Sequence, residues 1–329
     1  MKRPATLLER AGAQAYLAGW ALTRRLPEGL VTRAFARIAD ALTSRRGRGV
    51  VQLERNLRRV VGPGPDDAEI RALTRAAMRS YLRYWAETFR LPTWTKAQLG
   101  ERVVVEGAEE LRAQLANGVG VVLALPHTAN WDLAGAWVAE HVAPFTTVAE
   151  RLRPERLFDA FVAHRRGLGM EVLALEPGPA SGPGRPEVYE TLSARLRDGK
   201  LVCLVADRDL TSAGIDVQFF GETARMPAGP AALAVGTGAA LLPVTLWYEG
   251  ERMRARVHPA VPQPTAGRQR ERVAEMTRGL AAVFEETIRE HPADWHMLQR
   301  LWTADLRFRH PPGSSGPSGP DAAGLSRAR

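Results

Sequence analysis

Apolar and polar positions along the chain follow two regimes that meet near residue 100. Before it, apolar residues recur at helical spacing. Residues 5–44 read as two helices split by Leu26-Pro27-Glu28-Gly29. The first places Leu7, Ala11, Ala15, Ala18 and Leu22 on one side; the second places Val31, Phe35, Ile38 and Leu42 there, with Arg33 and Arg37 opposite. Tyr16 and Trp20 suit an interfacial face, and basic amphipathic helices of this kind either lie in a membrane surface or pack on a core. A basic connector, Arg45-Arg46-Gly47-Arg48-Gly49, leads to a helix with Arg55, Arg58 and Arg59, and after GPGPDD a longer helix spans about 67–90. That helix carries Arg71, Arg75, Arg79 and Arg83 on one face. Like charges four apart repel by about a few tenths of a kcal/mol per pair, so anions must face them: lipid phosphates, or acidic side chains from elsewhere in the chain.

From residue 102 short apolar runs alternate with helical patterns. Strands are expected at 102–106, 119–125, 145–149, 171–174, 200–206, 215–219, 240–247 and 253–258, and helices near 107–116, 129–141, 154–168, 186–198, 227–237 and 271–290. The alternation predicts an α/β fold, a mainly parallel central sheet sandwiched by helices, with an N-terminal helical membrane-associating region. The divisions expected are 1–100 for the helical region, 101–308 for the α/β core and 309–329 for a disordered tail rich in Pro, Gly and Ser.

One stretch organises the core. In GVGVVLALPHTANWDLAGAWVAEH, residues 118–141, a buried-strand run ends at Pro126, and a polar turn precedes a helix that Thr128 or Asn130 would cap. On one continuous helix His127 and Asp132 would lie roughly 140° apart and could not meet. With His127 in the turn and Asp132 in the first helical turn, the carboxylate could reach the imidazole and fix its tautomer, leaving the other nitrogen to accept a proton. The same spacing also occurs in turns with no chemistry.

The formal charge is +9 over 329 residues, and only Lys2, Lys96 and Lys200 are lysines, so arginine carries nearly all of the positive charge. Arginine forks suit phosphates, hence an anionic partner, although a GC-rich genome has the same effect on composition. Cys203, the one cysteine, excludes an internal disulfide and falls in the apolar run LVCLVA as a small core residue. No membrane-spanning run or signal-peptide core is evident, which places the protein in the cytoplasm. The seven histidines show no zinc spacing, no GxSxG or GxxxxGK[ST] motif occurs, and GTGAAL at 236 lacks the last glycine of a dinucleotide fingerprint, so no metal site is expected. Polar residues do gather where strands end: His127 after one, Glu150-Arg151 after another and Asp207-Arg208-Asp209 after a third. In a parallel sheet such ends converge on the usual ligand crevice.

These motifs, together with IDVQFFGETARMPAGPAALAVGTGAALLPV, resemble the bacterial lauroyl/myristoyl acyltransferase superfamily of lipid A biosynthesis. ALPHTANWDLAG, VAERL, the ADRDL run, FFGETARMPAGPA and the terminal DWHMLQRLW bring the chain nearest to the actinobacterial phosphatidylinositol mannoside acyltransferases, over roughly residues 5–305. The resemblance implies transfer of a fatty acyl chain, such as palmitoyl, from acyl-CoA to a mannose hydroxyl at the cytoplasmic face of the inner membrane. It further implies a peripheral monomer without a resident cofactor and without nucleic acid. His127 resembles the general base and Asp132 its motif partner; Glu150, Arg165 and Asp207 match other polar active-site positions, Asp209 lies close by, and Arg225 is a candidate anion ligand. A sugar hydroxyl is a poor nucleophile that such a base would activate, with no protein nucleophile needed. Two alternatives stay open: another lipid acceptor on the same fold, or a basic membrane- or nucleic-acid-binding protein using the arginine stripe without catalysis.

Overall fold

A computed structural model describes residues 7–151, 155–175, 185–209 and 214–306. The tail expected to be disordered, and the side chains of Leu7, Ala11, Ala15 and Tyr16, lie outside those described. Four helices lead: α1 (Leu7–Arg25), α2 (Glu28–Arg45), α3 (Arg48–Val61) and α4 (Asp67–Arg90). The longest, α4, starts where the side chain of Asp66 accepts from the N–H groups of Ala68 and Glu69 while Glu69 reaches back, a capping box that satisfies donors a helix start leaves open. Helices α2, α3 and α4 close on Ala39, Leu53, Leu57, Ala77 and Met78. Trp20, expected on an interfacial face, is instead buried against Phe89 and Phe161, and its indole donates to the Phe89 carbonyl. Among the described residues, the large apolar side chains that are exposed are Leu22, Leu30, Ile38 and Leu42. Ile38 and Leu42 therefore part from Val31, whose side of α2 faces the protein.

Three arginines of the α4 stripe find acceptors within the protein. Arg75 and Arg79 each make two hydrogen bonds to the carboxylate of Asp40 on α2, and Arg83 binds Glu87 and the carbonyls of Gly250 and Glu251.

The core holds β1 (Val103–Glu106), β2 (Val121–Leu125), β3 (Phe145–Glu150), β4 (Met170–Leu175), β5 (Leu201–Val205), β8 (Ala240–Glu249) and β9 (Arg252–Val257) in one sheet of order β1-β9-β8-β2-β5-β3-β4. The five strands from β8 to β4 are parallel; β8 turns back into β9, which runs alongside β1. One face is covered by α5 (Lys96–Arg102), α6 (Ala108–Ala116), α7 (Trp131–His141) and α8 (Glu155–Gly167), the other by α9 (Arg185–Arg197), α10 (Gly229–Thr237) and α11 (Gln269–Glu290). Val121, Leu123 and Leu125 point to the first face, Val122 and Ala124 to the second, and all are buried, as the continuous apolar run requires. The run at 215–219 is not in the main sheet: β6 (Ile215–Phe219) pairs with β7 (Glu222–Met226) as a separate hairpin that packs on α11.

Connections diverge at β2. The chain leaves β2 through α7 toward β3 and β4, and leaves β5 through the hairpin and α10 toward β8, on the opposite side. The crevice beyond the carboxyl ends of β2 and β5 is therefore a topological switch point.

Candidate active site

Parallel register decides which residues meet in that crevice. Val121 pairs with Leu201 and Leu125 with Val205, a constant offset that places His127 beside Asp207 once both strands end. The backbone N–H of His127 donates to Asp207 Oδ2 at 3.0 Å, and His127 Nδ1 lies 2.5 Å from Oδ1. Trp295 Nε1 donates to Oδ2 at 3.0 Å. Asp207 is 0% exposed. Burial alone would raise its acid, but His127 and these hydrogen bonds hold it below the usual carboxylate range. An ionised carboxylate only accepts, so the imidazole proton sits on Nδ1. Nε2 has no hydrogen-bond partner among the described residues, and the His127 side chain is 28% exposed.

The turn that carries His127 is held from several sides. Thr128 N–H reaches back to the Pro126 carbonyl at 2.8 Å, and Ala129 adopts φ +42° while its N–H binds the Asp294 carbonyl. A left-handed Ala costs about 1–2 kcal/mol, which these bonds offset. Asn130 caps α7 by accepting from Leu133 N–H, and its amide donates to Glu87, which also takes the Tyr248 hydroxyl and Arg83.

Asp132 does not pair with His127, contrary to expectation. Since α7 begins at Trp131, Asp132 points into the interface with α4 and α8, where Arg165 Nε donates to Oδ1 at 2.7 Å and the Tyr84 hydroxyl to Oδ2 at 2.8 Å. Burial pushes the Asp132 acid up, and Arg165 more than offsets this, leaving it ionised; the Arg165 guanidinium is in turn raised by that charge despite its own burial. Trp131 links the two pairs, its ring 5.4 Å from that of His127 and stacked at 4.1 Å on Tyr84. Arg165 thus spends its fork on a buried carboxylate.

Glu150 ends β3 with its side chain exposed. Asp209 and Arg225 are brought together by β7, Asp209 N–H binding the Arg225 carbonyl at 3.0 Å, while Arg225 Nε pairs with Asp216 at 2.8 Å. Gly214 makes room for them: a Cβ there would lie 2.8 Å from Asp209 Oδ2 and 2.6 Å from Arg225 Cγ. Burial pushes the Cys203 thiol up, as suits a core residue. A cavity of about 960 Å³ lies between α2, α4 and the β8–β9 turn; Ser80, Glu87, Tyr248 and Asp294 line it, and His127 does not. Among the described residues no group of three or more His, Cys, Asp or Glu is placed to hold a metal ion.

Motif reading missed Tyr84, which carries no signal in a helix full of aromatic residues. It also missed the Asp207 partnership, although the offset between the VVLALPH and LVCLVAD runs contains it.

A polar pair at the switch point of a mainly parallel sheet, with one imidazole nitrogen left open, is suited to general-base chemistry, and sequence comparison supplies the class. Residues 2–304 match the family of bacterial lipid A biosynthesis acyltransferases, and the chain belongs to it. It is an acyltransferase. Among its relatives, the phosphatidylinositol mannoside acyltransferase of Mycolicibacterium smegmatis is 48% identical over 88% of this chain and 91% of that protein. The phosphatidylinositol mannoside acyltransferase of Mycobacterium tuberculosis is 49% identical over 89% of each. The non-catalytic reading of the arginine stripe is thereby set aside, in keeping with the internal partners of Arg75, Arg79 and Arg83.

Proposed function

We propose that this acyltransferase moves a fatty acyl chain, palmitoyl among others, from acyl-CoA to a mannose hydroxyl of a phosphatidylinositol mannoside, working peripherally at the cytoplasmic face of the membrane. The observation that carries the mechanism is the His127–Asp207 pair, buried on the carboxylate side and open at Nε2. The acceptor hydroxyl attacks the thioester carbonyl while Nε2 takes its proton. The tetrahedral intermediate then collapses, the C–S bond breaks, and the coenzyme A thiolate leaves, recovering the proton from the imidazolium. Asp207 stabilises that imidazolium and keeps Nδ1 occupied; Asp132 and Arg165 shape the wall that carries Trp131. Glu150, Asp209 and Arg225 are candidates for binding the polar parts of the two substrates.

The proposed acceptor is supported by two relatives, both named phosphatidylinositol mannoside acyltransferases. Support for membrane contact comes from the exposed Leu22, Leu30, Ile38 and Leu42, since no helix among the described residues is long and apolar enough to cross a bilayer. The test is purified protein with palmitoyl-CoA and a phosphatidylinositol mannoside, a lipid A precursor in a parallel arm, and His127→Ala beside the wild type. Loss of turnover by roughly 10²- to 10⁴-fold in His127→Ala is expected. Wild-type turnover in that variant would overturn the general base, and preference for the lipid A precursor would overturn the acceptor.

A further inference from the structure

The segment Asp294-Trp295-His296 touches the His127 turn at each of its three residues. The Asp294 carbonyl accepts the Ala129 N–H at 2.9 Å, Trp295 bridges Thr128, and the His296 N–H donates to the His127 carbonyl at 2.8 Å. The segment is itself anchored: the Asp294 carboxylate accepts the Ser80 hydroxyl at 2.6 Å and the Tyr248 N–H at 2.8 Å. Backbone bonds of this kind fix the turn. None of them reaches the Asp207 carboxylate, whose plane sets the aim of the imidazole and which, without a further partner, only His127 would hold through its backbone N–H and Nδ1.

The indole of Trp295 supplies what they lack. Two other buried indoles donate their N–H to a backbone carbonyl, Trp302 to Phe219 at 2.9 Å and Trp20 to Phe89 at 3.2 Å, and the buried N–H of Trp94 has no partner among the described residues. Trp295 instead donates to Asp207 Oδ2, the oxygen already bound to the His127 backbone N–H. With two donors on Oδ2 the carboxylate cannot rotate, and Oδ1 is left for Nδ1 alone. The indole is donor-only, so it can neither take the proton from Asp207 nor titrate. Its ring is fully buried, with Phe219, Trp302 and Phe220 at 6.0, 6.1 and 6.4 Å, which keeps the N–H from swinging away.

We propose that Trp295 is a positioning residue for His127, locking the Asp207 carboxylate in the plane that turns imidazole Nε2 toward the acceptor hydroxyl. Trp295 touches no reacting atom and works only through Asp207. The proposal rests on the reading of His127 as general base.

Replacing Trp295 by benzothienylalanine, which keeps the shape of the ring and puts sulfur where the N–H stood, tests it; Trp295→Phe is the genetically simple counterpart. Losing one hydrogen bond to a charged group should lower kcat about ten- to a hundredfold, with KM for both substrates within about twofold. The His127 Nδ1–H proton, followed by NMR in histidine-labelled protein, should move upfield. Combined with Asp207→Asn, the replacement should cost nothing further, as two changes acting through one contact do not add. An unchanged kcat, a loss confined to KM, or a loss that multiplies with that of Asp207→Asn would each overturn the proposal. So would an unmoved Nδ1–H resonance. The sulfur isostere decides the matter even if Trp295→Phe does not fold. The resonance needs no substrate, so retained turnover in His127→Ala would sink the general-base reading, whereas an unmoved resonance would sink the role of Trp295 alone.

Discussion

Two buried carboxylates flank the same turn, and their partners set them apart. Asp207 answers to an imidazole and an indole, Asp132 to a guanidinium and a phenol. Asp207→Asn should therefore act on chemistry. The new amide would donate to Nδ1, moving the ring proton to Nε2 and removing the base, and turnover should fall on the order of 10²- to 10⁴-fold with the fold retained. Asp132→Ala should act on stability. It leaves the Arg165 guanidinium largely buried without its counter-ion, at a cost of about 3–5 kcal/mol readable by urea unfolding. If Asp132→Ala unfolds at the wild-type urea concentration while turnover collapses, the division of roles is wrong. His127 could be singled out from the strand, proline and polar turn around it, but its partner could not be found from local spacing. Side-chain pairs across a parallel sheet are set by register between strands 80 residues apart, and Asp132 was the nearer carboxylate in sequence only.

Among the elements, long helices and fully buried strands were legible, because periodicity reports burial directly; the run at 67–90 is matched to the residue by α4. Short elements were not. The helix α5 and the strand β7 follow or sit beside turn residues, in windows too brief for a period to emerge, and β6 was assigned a strand without its hairpin partner. What covers the apolar faces of the first two helices was left open by the sequence, for a physical reason. Periodicity marks an apolar stripe but cannot say whether protein or something else covers it, and here Trp20 is covered whereas Leu30, Ile38 and Leu42 are not. Replacing these three by Ser should cost less stability than truncating core residues, because each is 38–47% exposed and keeps only part of its surface against the protein. If they face lipid, partition onto vesicles containing anionic phospholipid should weaken by on the order of tenfold or more, given about 1.5 kcal/mol or more for each leucine-sized side chain fully buried. Unaltered co-sedimentation of the triple variant would remove this surface from consideration.

At the scale of the whole molecule, the site depends on two layers meeting over the sheet end. The helical bundle supplies Ser80, Tyr84 and Glu87 from α4, and the core supplies the turn and the segment at 294–296. Where these layers meet, two histidines are trapped. His164 lies edge-on to Trp20 at 5.0 Å with neither ring nitrogen bonded, and His296 lies 2.9 Å from the Ser80 hydroxyl. Burial lowers His164 to about 4, with the charge of Asp132 opposing and those of Arg24 and Arg165 assisting, and lowers His296 to about 3, assisted by His127. In the unfolded chain both return to about 6.5. Between pH 6.5 and 4 the unfolded chain thus binds two protons that the native protein refuses, so stability must fall as pH falls through that window. Each histidine contributes up to about 1.4 kcal/mol per pH unit. His258, also lowered by burial, adds a smaller share. Asp132 and Asp207 shift the other way, so their contribution is intact above the ordinary carboxylate range and is lost as pH falls through it and below; Asp294, whose acid is raised by burial, works against the histidines as pH falls toward that range. His164→Phe should then flatten the dependence by about 1.4 kcal/mol per pH unit below pH 6 without weakening the protein at pH 8, because no hydrogen bond is broken. Urea unfolding at half-unit steps from pH 8 to 4.5 measures both slopes, and equal slopes for wild type and variant would show that His164 is not the group being protonated.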